Sequence, residues 1–103
     1  MSGTRSASEG RTLRLRLYVA GESPNSVAAI RHLRSFLAGY ESLRVDLEIL
    51  DVLKDPKVGV RDGVLVTPMM VKLAPAPERR IIGNLKDTDS LASALGLTEA
   101  HRE

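Results

Sequence analysis

The sequence predicts an α/β fold, and three observations carry that prediction. Leu13, Leu15, Leu17 and Val19 alternate with Arg14 and Arg16, as in a strand buried on one side. That strand stops at Gly21 and hands over to a helix at Ser23-Pro24, where serine can cap the first turn and proline needs no N–H partner. Leu43, Val45, Leu47 and Ile49 then alternate with Arg44, Asp46 and Glu48, giving a second strand. A strand–helix–strand unit of this length favours parallel pairing with a right-handed crossover. At 103 residues, 43% of them apolar, the chain is one globular domain that needs neither disulfide nor metal to fold.

The elements follow in order. Residues 1–12 are Ser, Gly, Thr, Arg and Glu without apolar period and read as a loose tail. The first strand runs from about Leu13 to Ala20. The helix from Pro24 places Val27, Ile30, Leu33 and Leu37 on one side, and Gly39 is a plausible stop. After the second strand, Asp55-Pro56 repeats the cap-then-proline pattern and can open a second helix. Val58, Val60, Val64 and Val66 are β-branched, and Gly59 and Gly63 weaken a helix, so Val58 to Val66 also reads as a strand. Met69 to Leu73 is a strand with both methionines in the core. Pro75-Ala76-Pro77 makes a stiff turn, and Arg79-Arg80-Ile81-Ile82 is a short return strand ending at Gly83. Asp87 or Asp89 caps a last helix carrying Leu91 and Leu95, which Gly96 ends. Residues 98–103 read as a second tail. The domain is therefore 13–97, with the order β-α-β-α-β-β-α.

Composition excludes several classes. A net charge of +2, spread basic residues and only three aromatic residues (two Tyr, one Phe) argue against nucleic-acid binding. No apolar run is long enough to span a membrane, and no signal-peptide core is present, so the expected location is the cytoplasm. With no cysteine and two unclustered histidines, His32 and His101, no metal site or cofactor is expected.

This element order is thioredoxin-like, and such enzymes carry their Cys-x-x-Cys pair at the turn where Ser23 and Ser26 stand here. A hydroxyl pair forms no disulfide and cannot cycle electrons. More specifically, the chain resembles the KaiB family. The resemblance runs from about Leu13 to Leu97. Its carriers are Leu15-Arg16-Leu17-Tyr18-Val19-Ala20-Gly21, Ser23-Pro24-Asn25-Ser26, Asp51-Val52-Leu53-Lys54-Asp55-Pro56, Val66-Thr67-Pro68 and Arg79-Arg80-Ile81-Ile82-Gly83.

The resemblance implies a non-enzymatic clock protein that binds the N-terminal ATPase ring of a KaiC-type hexamer and modulates its phosphorylation cycle or output. It implies two folds: a tetrameric ground state with the second half rearranged, and a thioredoxin-like monomer that binds. It implies competition with a thioredoxin-like sensor domain of a histidine kinase, and self-association to a dimer or tetramer. It also implies a cis Thr67–Pro68 bond in the thioredoxin-like state. Pro68, Pro75, Pro77, Gly83 and Ala94 lie in the half that rearranges, and proline isomerisation is a candidate slow step there. The chain departs from the family pattern. Pro75-Ala76-Pro77 breaks the usual triple proline, and Glu78 stands where an apolar residue is common. Gly63 replaces a lysine, Asn84 an aspartate and Ala94 a glycine, and the long acidic tail is missing. Ala for Gly favours a helix by roughly 0.5–1 kcal/mol, so this member is expected to lean toward the thioredoxin-like state. NMR or a crystal form showing residues 88–95 as a strand would contradict that.

Individual residues carry competing readings. Ser23 is an ordinary N-cap or, as in glutathione-handling relatives of this fold, an anion or thiol site. Arg79 and Arg80 protect a sheet edge or contact a partner, and Glu48, Lys54 and Lys57 are further partner candidates near the rearranging half. The alternatives to clock-type binding are a kinase-sensor-type interaction module and a glutathione-type enzyme using Ser23.

Overall fold

The computed structural model describes residues 12–97. The expected tails lie outside the described residues, except for Thr12. In chain order the elements are β1 (Leu13–Val19), α1 (Pro24–Leu37), β2 (Val45–Asp51), α2 (Pro56–Arg61), β3 (Met69–Ala74), β4 (Arg79–Ile82) and α3 (Thr88–Leu95). The four strands form one sheet in the order β2-β1-β3-β4. β2 is parallel to β1, as the crossover argument requires, while β3 and β4 run antiparallel.

The alternation on β1 sorts the molecule into two layers. Leu13, Leu15, Leu17 and Val19 face Ala29 and Leu33 of α1 and Leu91 and Leu95 of α3, with Met70, Tyr40 and Leu85 completing that core. On the other side, Tyr18, Met69 and Val71 pack against Val58 of α2, with Leu50, Val52, Val64 and Leu73 around them. Met69 and Met70 are buried, as the strand reading expects.

The inward stripe of α1 differs from the sequence expectation. Ser26, Ala29 and Leu33 are buried, whereas Val27 is 45% exposed. The reason is polar: Ser26 Oγ accepts the Ala20 N–H at 3.0 Å, which turns that residue inward and rotates Val27 out. Ala38 caps α1 in right-handed geometry and Gly39, the expected stop, follows it directly, without the left-handed φ of a glycine cap.

The two-way stretch Val58 to Val66 resolves as a six-residue helix followed by a loop. Contact of Val58 with Tyr18, Met69 and Val71 overrides the weak helix propensity. Asp55 takes the N-cap position, yet its side chain makes no capping bond. The last helix starts better. Asp87 Oδ1 accepts the N–H groups of Asp89 and Ser90 at 3.0 and 3.2 Å. Gly96 ends α3 at φ 72°, where a side chain would be strained. The Thr67–Pro68 bond is cis, as the resemblance implies; Ala74–Pro75 and Ala76–Pro77 are cis as well.

Candidate functional site

The turn between β1 and α1 is built by three side chains. Asp51, at the end of β2, accepts the Gly21 N–H at 3.0 Å and the Leu53 N–H at 2.9 Å. These two backbone donors hold its carboxyl below the ordinary value. Gly21 takes φ +58°, and a Cβ there would press on Leu53 at 3.2 Å. Ser23 donates its hydroxyl to Ser26 Oγ at 2.8 Å and accepts the Ser26 N–H at 3.4 Å. Both hydroxyls are thus used in closing the turn. Among the described residues, no basic side chain hydrogen-bonds Ser23, so nothing there draws off its proton.

What this end of the sheet does offer is apolar surface. Leu53 follows β2, Leu65 and Val66 precede β3, and Ile82 closes β4. The strand directions bring these to the end of the sheet that carries the Gly21–Ser23 turn, with Leu53 and Ile82 at the ends of its two outer strands. Tyr18 pairs with Met69 and Gly83 N–H donates to Pro68 O at 3.0 Å, which ties the pieces together. Leu65 is 94% exposed, Leu53 67% and Ile82 60%. Scattered singly, exposed large apolar residues mean little; here several share one end of the sheet. A separate groove of about 480 Å³ opens between α1 and α3, lined by His32, Phe36, Tyr40, Leu85 and Asp89, at the far end of α1 from Ser23.

The five sequence-predicted partner residues do not form one patch. Glu48 lies on β2 and Arg79 and Arg80 on β4, the two outer strands. Register places Glu48, Arg16, Val71 and Arg80 in one row on the α2 side, while Arg79 pairs with Lys72 on the opposite face. Arg80 sits 3.5 Å from Glu78. Lys54 and Lys57 are exposed, one in the turn after β2 and the other in α2. Pro68 is buried beside the turn, Pro75 and Pro77 are exposed between β3 and β4, Gly83 takes φ 120°, and Ala94 is half-buried on α3.

Sequence reading missed a polar cluster on the α2 side. Tyr18 is 2% exposed, and its hydroxyl donates to Asp62 Oδ2 at 2.6 Å. Arg61 donates to both Asp62 oxygens at 2.7 and 3.0 Å, and Arg16 reaches Asp62 at 3.6 Å and Glu48 at 3.2 Å. The Arg61 guanidinium, followed by the Tyr18 hydroxyl, holds the Asp62 carboxyl far below the usual range. Burial, followed by Asp62, pushes the Tyr18 phenol up. One signal was available: Asp62 is the lone acid inside the run of valines.

The chain and its fold have known counterparts. The family described as KaiB domain matches residues 16–97. The circadian clock oscillator protein KaiB of Synechococcus elongatus is 41% identical over 87 residues, covering 84% of this chain and 85% of that protein. The protein of the same name from Prochlorococcus marinus is also 41% identical, over 84% of this chain and 73% of that one. Among solved structures, the N-terminal domain of Synechococcus elongatus SasA superposes with a TM-score of 0.68 at 26% identity, over 86% of this chain and 88% of that domain. Chloroplastic thioredoxin z gives a TM-score of 0.70 at 17% identity, over 93% and 88% of the two chains, a likeness of fold alone. Among the described residues, no helix is long and apolar enough to cross a membrane.

Proposed function

The chain belongs to the KaiB family, and on that premise we propose that it is a non-catalytic clock-type regulator. It binds a KaiC-type hexameric ATPase on the N-terminal ATPase ring and modulates the phosphorylation cycle or output. The observation that carries this reading is the end of the sheet beside Ser23. Where a thioredoxin-like enzyme keeps reactive thiols, this chain has two hydroxyls occupied by each other and a group of exposed apolar side chains. That surface suits docking and offers no electron or proton transfer. The binding unit is residues 13–97, acting in the cytoplasm, and Glu48, Lys54, Lys57, Arg79 and Arg80 add contacts around it.

Binding is gated by a fold equilibrium in the second half. There Pro68, Pro75, Pro77, Gly83 and Ala94 set the balance between the thioredoxin-like state and a dimeric or tetrameric alternative. If the competent state is a minor population, apparent affinity falls by that fraction and association is slow. The shape shared with the SasA N-terminal domain supports competition with a kinase sensor domain for one docking place.

The test is complex formation between the purified full chain, its host's KaiC-type ATPase and nucleotide, followed by size-exclusion light scattering over hours. A slowly formed complex with several copies per hexamer is expected. Rapid formation keeps the partner and removes the gate, which favours a sensor-type module. No complex in any nucleotide state overturns the reading.

A further inference from the structure

We propose that the Asp62 carboxylate is the latch that holds residues 56–66 as helix and loop and excludes an extended form of the same stretch. This deepens the fold-equilibrium part of the reading above, but it is tested without the ATPase.

Residue 62 acts on both arrangements of this stretch. In the observed state α2 is weak by itself. It has six residues, buries only Val58 and Gly59, contains two interior β-branched residues and lacks a side-chain N-cap bond. Its C-cap is Asp62, and the bonds of that residue reach across the chain. Tyr18 Oη and Arg16 Nη1 both come from β1, so Asp62 ties the end of α2 to the central part of the sheet. Arg61 is its sequence neighbour and adds charge without adding a long-range tie. Tyr18 is buried, and the Asp62 side chain is 14% exposed, so salt screens this link poorly.

In the extended arrangement residue 62 acts by its position. In an extended chain residues two apart share a face. Val58, Val60, Val64 and Val66 then form one apolar face, and residue 62 sits in its middle. A carboxylate there loses Tyr18 and must either lie among valines or keep the strand's apolar face open to water. The same atom group therefore favours the helical arrangement by its bonds and penalises the extended one by its position. Leucine or valine at 62 removes both effects at once, whereas a change at Tyr18 removes only the first.

Backbone amide NMR on the full-length chain separates these effects. The reporters are the N–H groups of Val58, Asp62, Gly63 and Val64, which bond to Asp55, Val58, Val60 and Gly59 carbonyls. In Tyr18→Phe, exchange at these amides is expected to speed by about 10- to 100-fold, the usual worth of a hydrogen bond to a charged group. The β1 and β3 amides serve as internal controls and are expected to change much less. In Asp62→Val, chemical shifts of residues 58–66 are expected to move from helical to extended values. If Tyr18→Phe leaves the α2 amides unchanged, or speeds all amides equally, the latch is overturned. Helical shifts retained in Asp62→Val also overturn it. Should Asp62→Val precipitate, the Tyr18→Phe exchange profile decides alone. A failed complex with the ATPase touches only the partner reading, and unaltered exchange touches only the latch.

Discussion

The two faces of the sheet are held by different physics. Toward α1 and α3, Leu13, Leu15, Leu17, Val19 and Met70 meet Leu33, Leu91 and Leu95 in an aliphatic layer. Toward α2, a smaller group around Tyr18, Met69, Val71 and Val58 is closed by charges on Arg16, Arg61 and Asp62. Apolar burial is roughly proportional to area and indifferent to direction. A hydrogen-bonded carboxylate depends on direction and on every partner being present. The first face is a scaffold that loses stability in proportion to what is removed. The second can be released by one change of partner, as the proposed fold equilibrium requires.

The largest effects are expected on the scaffold face. Leu17→Ala and Leu33→Ala remove fully buried side chains and should each cost about 3–5 kcal/mol in urea unfolding. Val58→Ala removes less surface and gains helix propensity, so about 1 kcal/mol is expected. A Val58→Ala loss as large as that of Leu17→Ala would erase the distinction between the faces.

Next in size is the pH dependence of the α2 side. Asp62 has a folded value well below the ordinary 3.8, so the unfolded chain binds more protons as the pH falls through that range. The stability it contributes is complete above the ordinary value and is lost as pH drops through the folded one. Wild type should exceed Asp62→Asn by a constant margin above about pH 5, and the gap should shrink from about pH 4 downward. A gap that stays constant to about pH 2 would mean that the carboxylate is not what stabilises this face.

A smaller effect belongs to the last helix. Asp87 caps α3 through two backbone N–H groups and the Ser90 hydroxyl. Asp87→Ala should cost about 1 kcal/mol. It should leave α2 exchange unchanged, which separates an ordinary cap from the latch.

The legibility of the sequence follows the same division. The strands, the Ser23 cap, a last cap at Asp87 or Asp89, and the Gly96 stop were readable because each is local: a period of two, a serine before proline, a glycine after a leucine pair. The parallel β1–β2 pair was readable from the length of the intervening helix. Val27 was misplaced because the turn of α1 is set by the Ser26–Ala20 bond, which no periodicity encodes. The Tyr18–Asp62 bond was not readable because the two residues stand 44 apart, and their meeting depends on a helix whose own propensity is poor. The scattering of Glu48, Arg79 and Arg80 over opposite edges and faces likewise needs the strand order, which the element order alone leaves open.

Lys72 tests the scaffold face from its weakest point. It is 4% exposed, opposite Leu15 on one side and Arg79 on the other. Among the described residues, no acid pairs with it, and burial followed by Arg79 lowers its ammonium below the ordinary 10.5. A lysine with a lowered folded value binds fewer protons folded than unfolded, so its charge opposes folding at neutral pH and the opposition fades as the pH rises. Lys72→Met keeps the apolar stem and removes the charge. It should stabilise the protein by about 0.5–1 kcal/mol at neutral pH, and its advantage should shrink as the pH approaches 10.5. Thermal melts of both chains across that range measure it. A Lys72→Met variant less stable than wild type at neutral pH would mean that the ammonium contributes to holding β3 against β4. The contrast between an apolar scaffold face and a charge-closed α2 face would then have to be redrawn at this strand pair.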